Sequence, residues 1–141
     1  MHYLSTRNNQ LKESFLNILF RGLSKDGGLF LPSEWPTVSL ENLQGKSYQE
    51  VAHSIIYPYI QDDISYTDLQ LIINTAYESF DHKKIAPLIN IDQNKYILEL
   101  FYGPTFAFKD YALQFLGSLF SYLLNQNKKK ITVLGATSGD T

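Results

Sequence analysis

The sequence predicts an α/β protein in which a mainly helical N-terminal module leads into the opening of an α/β sheet domain. Three observations carry that reading. Apolar residues recur at helical spacing in separate blocks between residues 11 and 80. The texture changes after Lys84 to short runs rich in Ile, Leu and Tyr. An order of strand, long apolar helix and β-branched strand then follows, as at the start of a sheet with helices packed on it.

Residues Leu11 to Leu23 place Leu11, Phe15, Ile18, Leu19 and Leu23 on one side of a helix, with Gly22 loosening its end. Asp26-Gly27-Gly28 signals a turn, and Leu29-Phe30-Leu31 is a short extended piece ended by Pro32. Pro36 keeps the next stretch irregular. A second helix is expected from Ser47 to Tyr59, with Ser47 as N-cap, Glu50 in the capping-box position and Pro58 at its end. Ser65 and Asp68 repeat that signature. They open a third helix, to about Phe80, whose inward face is Leu69, Ile72, Ile73 and Ala76. The tyrosines of this region, Tyr77 among them, are expected at the core edge with hydroxyls in water.

Pro87–Ile91 and Tyr96–Leu100 read as strands around the polar turn Asp92-Gln93-Asn94. Gly103-Pro104-Thr105 breaks the chain, and Phe108 to about Asn125 is a strongly apolar helix. Ile131-Thr132-Val133-Leu134 suits a parallel strand covered on both faces. The expected division is 1–84 for the helical module and 85–141 for the beginning of the sheet domain. The small hydroxylated turn after the last strand is expected to lead into a further helix, so the sequence is expected to be part of a longer chain.

Composition narrows the function classes. Hydrophobic residues are 44% and charged residues 18% of 141, a globular balance. A net charge of -2 offers no basic face for a nucleic-acid backbone. The basic run Lys128-Lys129-Lys130 is expected to be a solvated helix end. With no cysteine, disulfides, zinc–thiolate sites and thiol nucleophiles are excluded within these residues. His2, His53 and His82 have no metal-ligand spacing and are expected at the surface or half-buried. The N-terminal residues lack a basic n-region and an apolar h-region, so no signal peptide is expected; no apolar stretch is long enough for a bilayer, and a soluble cytoplasmic protein is expected, with no membrane or nucleic-acid partner.

Two segments carry chemistry. In Glu99-Leu100-Phe101-Tyr102-Gly103-Pro104-Thr105-Phe106-Ala107-Phe108-Lys109-Asp110, a Gly-Pro turn leaves a strand and delivers a lysine at the start of a helix. Aromatic neighbours and partial burial disfavour the ammonium and favour a nucleophilic amine, the kind that forms a Schiff base with an aldehyde. A lysine laid along the surface and paired with Asp110 or a downstream carboxylate is the structural alternative. In Leu134-Gly135-Ala136-Thr137-Ser138-Gly139-Asp140-Thr141, backbone N–H groups and hydroxyls follow a strand where an anionic group could be held. An ordinary strand-to-helix turn is the alternative there.

Gly103 to Asp110, followed by Ala136-Thr137-Ser138-Gly139-Asp140-Thr141, closely resembles the threonine synthase family. Tyr3-Leu4-Ser5-Thr6-Arg7 and Gly22 to Pro32 resemble that family's N-terminal domain, so the likeness spans the chain in three places. Asn8 stands where a glycine is usual, and Tyr102 where a histidine is common.

The resemblance implies a helical threonine-synthase-type module followed by the start of a fold-type-II pyridoxal-phosphate-enzyme domain, of the tryptophan-synthase-β-like class. It implies a carbon–oxygen lyase converting O-phospho-L-homoserine and water to L-threonine and phosphate, the last step of threonine biosynthesis. Lys109 would carry pyridoxal 5'-phosphate as a Schiff base and act as base and acid, with Phe108 and Asp110 beside the cofactor. Thr137, Ser138, Gly139, Asp140 and Thr141 would receive the substrate, Asp140 also standing where related enzymes contact the cofactor's 3'-oxygen with an asparagine. The groups for the cofactor phosphate and pyridine nitrogen are expected downstream, so these residues alone are expected to be inactive. The expected assembly is a monomer or homodimer, without metal. A related phospho-lyase, or a non-catalytic folding or interaction module, are the alternatives. A nicotinamide site is disfavoured because no G-x-G-x-x-G follows a strand.

Overall fold

The structure, a computed structural model, describes all residues except Lys129, Ser138, Asp140 and Thr141, and leaves the Asn127 side chain undescribed. It forms two compact units, Met1–Lys46 with Glu50–Leu69, and Ser47–Gln49 with the described residues from Gln70 onward.

The first unit contains a feature absent from the sequence reading, a three-stranded antiparallel sheet in the order β2-β1-β3. Its strands are β1 (Tyr3–Ser5), β2 (Lys12–Glu13) and β3 (Phe30–Pro32). Tyr3 pairs with Glu13 on one side and with Pro32 on the other. Pro32 is tolerated because β3 is an edge strand and needs no donor on its outer side. The Asp26-Gly27-Gly28 turn closes onto β1: the Ser5 hydroxyl donates to Asp26 Oδ1 at 2.8 Å, and the Gly28 N–H donates to the same oxygen at 2.9 Å. These donors, the Gly28 N–H foremost, hold the Asp26 carboxyl below its usual range.

The helix expected over Leu11–Leu23 is only α1 (Phe15–Leu19). Lys12 and Glu13 are drawn into the sheet, and Ser14 caps the helix by accepting from the Asn17 N–H at 3.3 Å. The Phe15 N–H is taken by Asp63 Oδ2 at 2.9 Å, a partner invisible to local periodicity.

The second helix, α2 (Tyr48–Ile60), forms as expected, but Pro58 lies inside it and does not end it. A proline near the C-terminus costs one intrahelical hydrogen bond, and the helix closes after it through Asp63 and Ile64 N–H groups on the Ile60 carbonyl, both 2.9 Å. Tyr3, buried, donates its hydroxyl to the Tyr59 carbonyl at 2.8 Å. Burial, with help from the charge of Asp63, pushes its phenol up to about 12. His53 is not half-buried but fully buried. Its Nε2 lies 3.0 Å from the Tyr66 carbonyl, which can only accept, so Nε2 carries the proton. The Tyr57 and Tyr66 rings pack on it.

The third helix, α3, runs Tyr66–Tyr77 and stops short of Phe80. Ser65 Oγ accepts from the Asp68 N–H at 3.2 Å and donates to Asp68 Oδ2 at 2.6 Å, the anticipated capping pair. Ser65→Ala is expected to destabilise the chain by about 1 kcal/mol. Urea unfolding followed by circular dichroism would show it as a lower midpoint at constant slope, and an unmoved midpoint would remove the capping argument.

In the second unit Ile72, Ile73 and Ala76 are buried as expected. The hydroxyl of Tyr77 is not in water: the residue is buried and donates to the Tyr111 carbonyl at 2.9 Å. Its phenol is accordingly pushed well above the usual range, by burial first. The two strands β4 (Leu88–Asp92) and β5 (Lys95–Leu98) form an antiparallel hairpin with a register irregularity between Asn90 and Asp92. Asn94 turns it with φ 59°, a conformation asparagine tolerates. Both faces of this ribbon are exposed.

The last helix, α4, runs Asp110–Asn127. Lys128 ends it in the left-handed conformation with its N–H on the Asn125 and Leu124 carbonyls, so the basic run does begin at a helix cap. The parallel strand expected at Ile131–Leu134 is absent: these residues have no regular secondary structure and are exposed. A strand requires a partner for its N–H and C=O groups, and the strands among the described residues pair antiparallel in their own sheets.

Candidate active site

The turn between β5 and α4 is built around the carboxylate of Asp110, which is 2% exposed. Its two oxygens reach back along the chain. Oδ2 accepts from the Thr105 N–H at 2.8 Å, and Oδ1 accepts from the Thr105 hydroxyl at 2.9 Å and from Gln114 Nε2 at 3.5 Å. A carboxylate in the first turn of a helix also lies favourably in the field of the helix N-terminus. Thr105 thus stabilises the turn through both its N–H and its hydroxyl.

Gly103 makes this closure possible. A Cβ there would collide with the Asp110 Cβ and stand 2.5 Å from Oδ2 and 2.7 Å from Cγ. Phe106 sits at φ 60° with its N–H on the Gly103 carbonyl at 3.1 Å. A bulky residue in that region is strained and persists only where surrounding bonds hold it.

The product of this turn is Lys109, half-buried at the N-cap of α4 with φ -63° and ψ -21°. Its carbonyl accepts from Ala112 and Leu113 at 3.2 and 2.9 Å, so the residue is continuous with the helix. Its Nζ lies 5.2 Å from the centre of the Phe108 ring, within reach of a cation–π attraction. The expected aromatic enclosure is not formed by its neighbours, because Phe106 is 77% and Phe108 62% exposed. Both rings point outward, as the surface of a short turn with no covering element requires. The Asp110 carboxylate is used within the turn.

Of the second predicted segment, Thr137 and Gly139 are described: the Gly139 N–H donates to Thr137 Oγ1 at 3.1 Å, with Gly139 at φ 119°. Ser138, Asp140 and Thr141 lie outside the described residues. Beside the lysine turn is a group that sequence reasoning passed over. The Tyr102 hydroxyl donates to Glu99 Oε2 at 2.8 Å, and the His82 ring lies 4.7 Å from its own. The bond to Glu99 holds the Tyr102 phenol above its usual range. Tyr111 was also missed, although a tyrosine opening an otherwise apolar helix is itself a signal that its hydroxyl has a partner. No group of acidic and histidine side chains suited to a metal ion occurs among the described residues.

Comparison with known proteins gives this arrangement its class. The fold matches the N-terminal region of a pyridoxal-phosphate-bound threonine synthase from Brucella melitensis, with a TM-score of 0.85 and 41% identity over 92% of this chain and 29% of that one. A family model described as "Threonine synthase N terminus" matches residues 2–77. The threonine synthase of Pseudomonas aeruginosa is 40% identical over 100% of this chain and 31% of its own length. That of Schizosaccharomyces pombe is 44% identical over 99% and 29%. The chain belongs to the threonine synthase family. It spans less than a third of the length of these curated relatives.

Proposed function

We propose that the full-length protein carrying this chain is a threonine synthase, a pyridoxal-phosphate-dependent carbon–oxygen lyase that converts O-phospho-L-homoserine and water to L-threonine and phosphate. The observation that supports it most is the turn Gly103–Asp110, which spends a buried carboxylate, a glycine and a strained Phe106 on presenting one lysine. Strain and burial of this kind accumulate where a side chain must be placed accurately.

The described residues fit the cofactor: Lys109 supplies a primary amine for its aldehyde, half-buried at the start of α4. Phe108 offers a ring face beside that amine. Asp110 acts through the shape of the turn. When bound, the cofactor supplies a pyridine ring that takes up electron density from the substrate carbons. Lys109 Nζ takes and returns the protons on those carbons. The loop Thr137–Thr141 is assigned to the substrate carboxylate, Asp140 also to the cofactor. Domains divide at 84/85, the catalytic domain continuing beyond these residues, in a cytoplasmic monomer or homodimer. No helix among the described residues is long and apolar enough to cross a membrane.

Incubating the cofactor-loaded full-length protein with O-phospho-L-homoserine tests the reading. Phosphate and L-threonine are expected in equal amounts, while residues 1–141 alone show little or no turnover. Phosphate with a different organic product would turn the assignment to a related phospho-lyase; neither product would overturn it.

A further inference from the structure

The turn that carries Lys109 is held from behind by a phenol with no part in the chemistry above. Tyr111 lies in the first turn of α4, and its hydroxyl donates to the Ile85 carbonyl at 2.8 Å, with the Glu99 carbonyl 3.4 Å away. Ile85 lies just before β4 and Glu99 just after β5, and the two ends are themselves joined by the Glu99 N–H on the Pro87 carbonyl at 3.0 Å. One hydroxyl thus ties the start of α4 to both ends of the hairpin. From the other side, Tyr77 donates to the Tyr111 carbonyl at 2.9 Å.

The acceptor is aimed at some cost. Ile85 is buried at φ 60°, a conformation that a β-branched residue seldom adopts. It is kept there by its N–H on the His82 carbonyl at 2.8 Å and by Tyr111 on its own carbonyl. The Tyr111 ring packs edge-on against Phe80, with centroids 4.9 Å apart, and against Tyr48 at 6.2 Å. Such ring pairs are individually weak and tolerate a range of centroid distances, so alone they would let the helix shift. The hydroxyl adds direction, and it acts two residues from Lys109.

We propose that Tyr111 is a positioning residue for Lys109, its hydroxyl fixing the first turn of α4 against the two ends of the β4–β5 hairpin so that the lysine amine meets cofactor and substrate at one geometry. The proposal rests on Lys109 being the cofactor lysine. Proton transfer is steeply sensitive to such placement, and a shift on the order of 1 Å costs about a hundredfold in rate.

Tyr111→Phe in the full-length protein keeps the ring and removes the hydrogen bonds. The expected result is a kcat lower by about tenfold, with the KM for O-phospho-L-homoserine changed by less than about twofold. Independently of turnover, titrating the cofactor-free variant with pyridoxal phosphate is expected to give a several-fold higher dissociation constant from its visible absorbance. Tyr77→Phe, which loosens the other tie, should move both readouts the same way. A lowered unfolding midpoint with kcat and cofactor affinity unchanged in both variants would overturn the proposal and leave Tyr111 a packing residue. Lys109→Ala run in parallel separates the two failures: only if its absorbance persists does the reading of Lys109 fall, and the proposal with it.

Discussion

Lys109→Ala in the full-length protein is expected to abolish the visible absorbance of bound pyridoxal phosphate and to lower kcat by roughly a thousandfold or more. The amine is both the attachment point and the proton carrier in the proposed reaction, so the two losses should coincide. Lys109→Arg should be no better, because a guanidinium stays protonated and cannot supply a nucleophilic nitrogen. Folding should be spared. The Lys109 side chain makes no capping hydrogen bond to α4 and is only half-buried. The unfolding midpoint should therefore move by less than about 0.5 kcal/mol equivalent. Absorbance spectra, steady-state kinetics and urea unfolding of the same two variants check all three statements. An active, coloured Lys109→Ala would end the assignment of this lysine.

Gly103→Ala has the opposite profile, striking the fold first. The new methyl would meet the Asp110 side chain, which cannot swing away without giving up the Thr105 N–H and hydroxyl. Either the backbone shifts or a buried carboxylate loses two charge-assisted hydrogen bonds, and each route costs about 2–4 kcal/mol. Urea unfolding of the chain should show that loss, and the full-length variant should bind cofactor poorly because the lysine turn no longer closes. A stability change below about 0.5 kcal/mol would mean that the turn has slack, and the argument that it is built to place Lys109 would lose its basis.

The parts of the fold that could be read in advance are those whose causes are local. The cap of α3 is written in Ser65 and Asp68, three residues apart, and the structure returns both hydrogen bonds. The hairpin is written in two apolar runs around Asp92-Gln93-Asn94. The lysine motif was legible as a motif, from Gly103 to Asp110. The N-terminal sheet was not legible, because β1 and β2 are three and two residues long and exist only by pairing with each other and, for β1, with Phe30–Pro32 far along the chain. The same pairing pulled Lys12 and Glu13 out of a helix that their neighbours' spacing favoured. Tyr77 and Tyr111 were misjudged or missed for a related reason. A phenol's spacing says which way its ring faces, whereas the carbonyl that receives its hydroxyl lies 34 residues away for Tyr77 and 26 for Tyr111. The strand at Ile131–Leu134 shows the remaining gap: composition can favour extended backbone, but the ladder needs a neighbour.

The β4–β5 ribbon has a practical consequence at the bench. Leu88, Ile91, Tyr96 and Leu98 are each more than half exposed, on a ribbon that is open on both faces. Its outer N–H and C=O groups form a ready template for another strand, and nothing but Lys95 with Asp92 places charge along it. Residues 1–141 produced as a separate polypeptide should therefore be handled as a sticky, colloidally fragile sample, kept dilute and cold. Light scattering against concentration should accompany every unfolding curve taken on it, since turbidity from ribbon-to-ribbon stacking would otherwise masquerade as a stability effect.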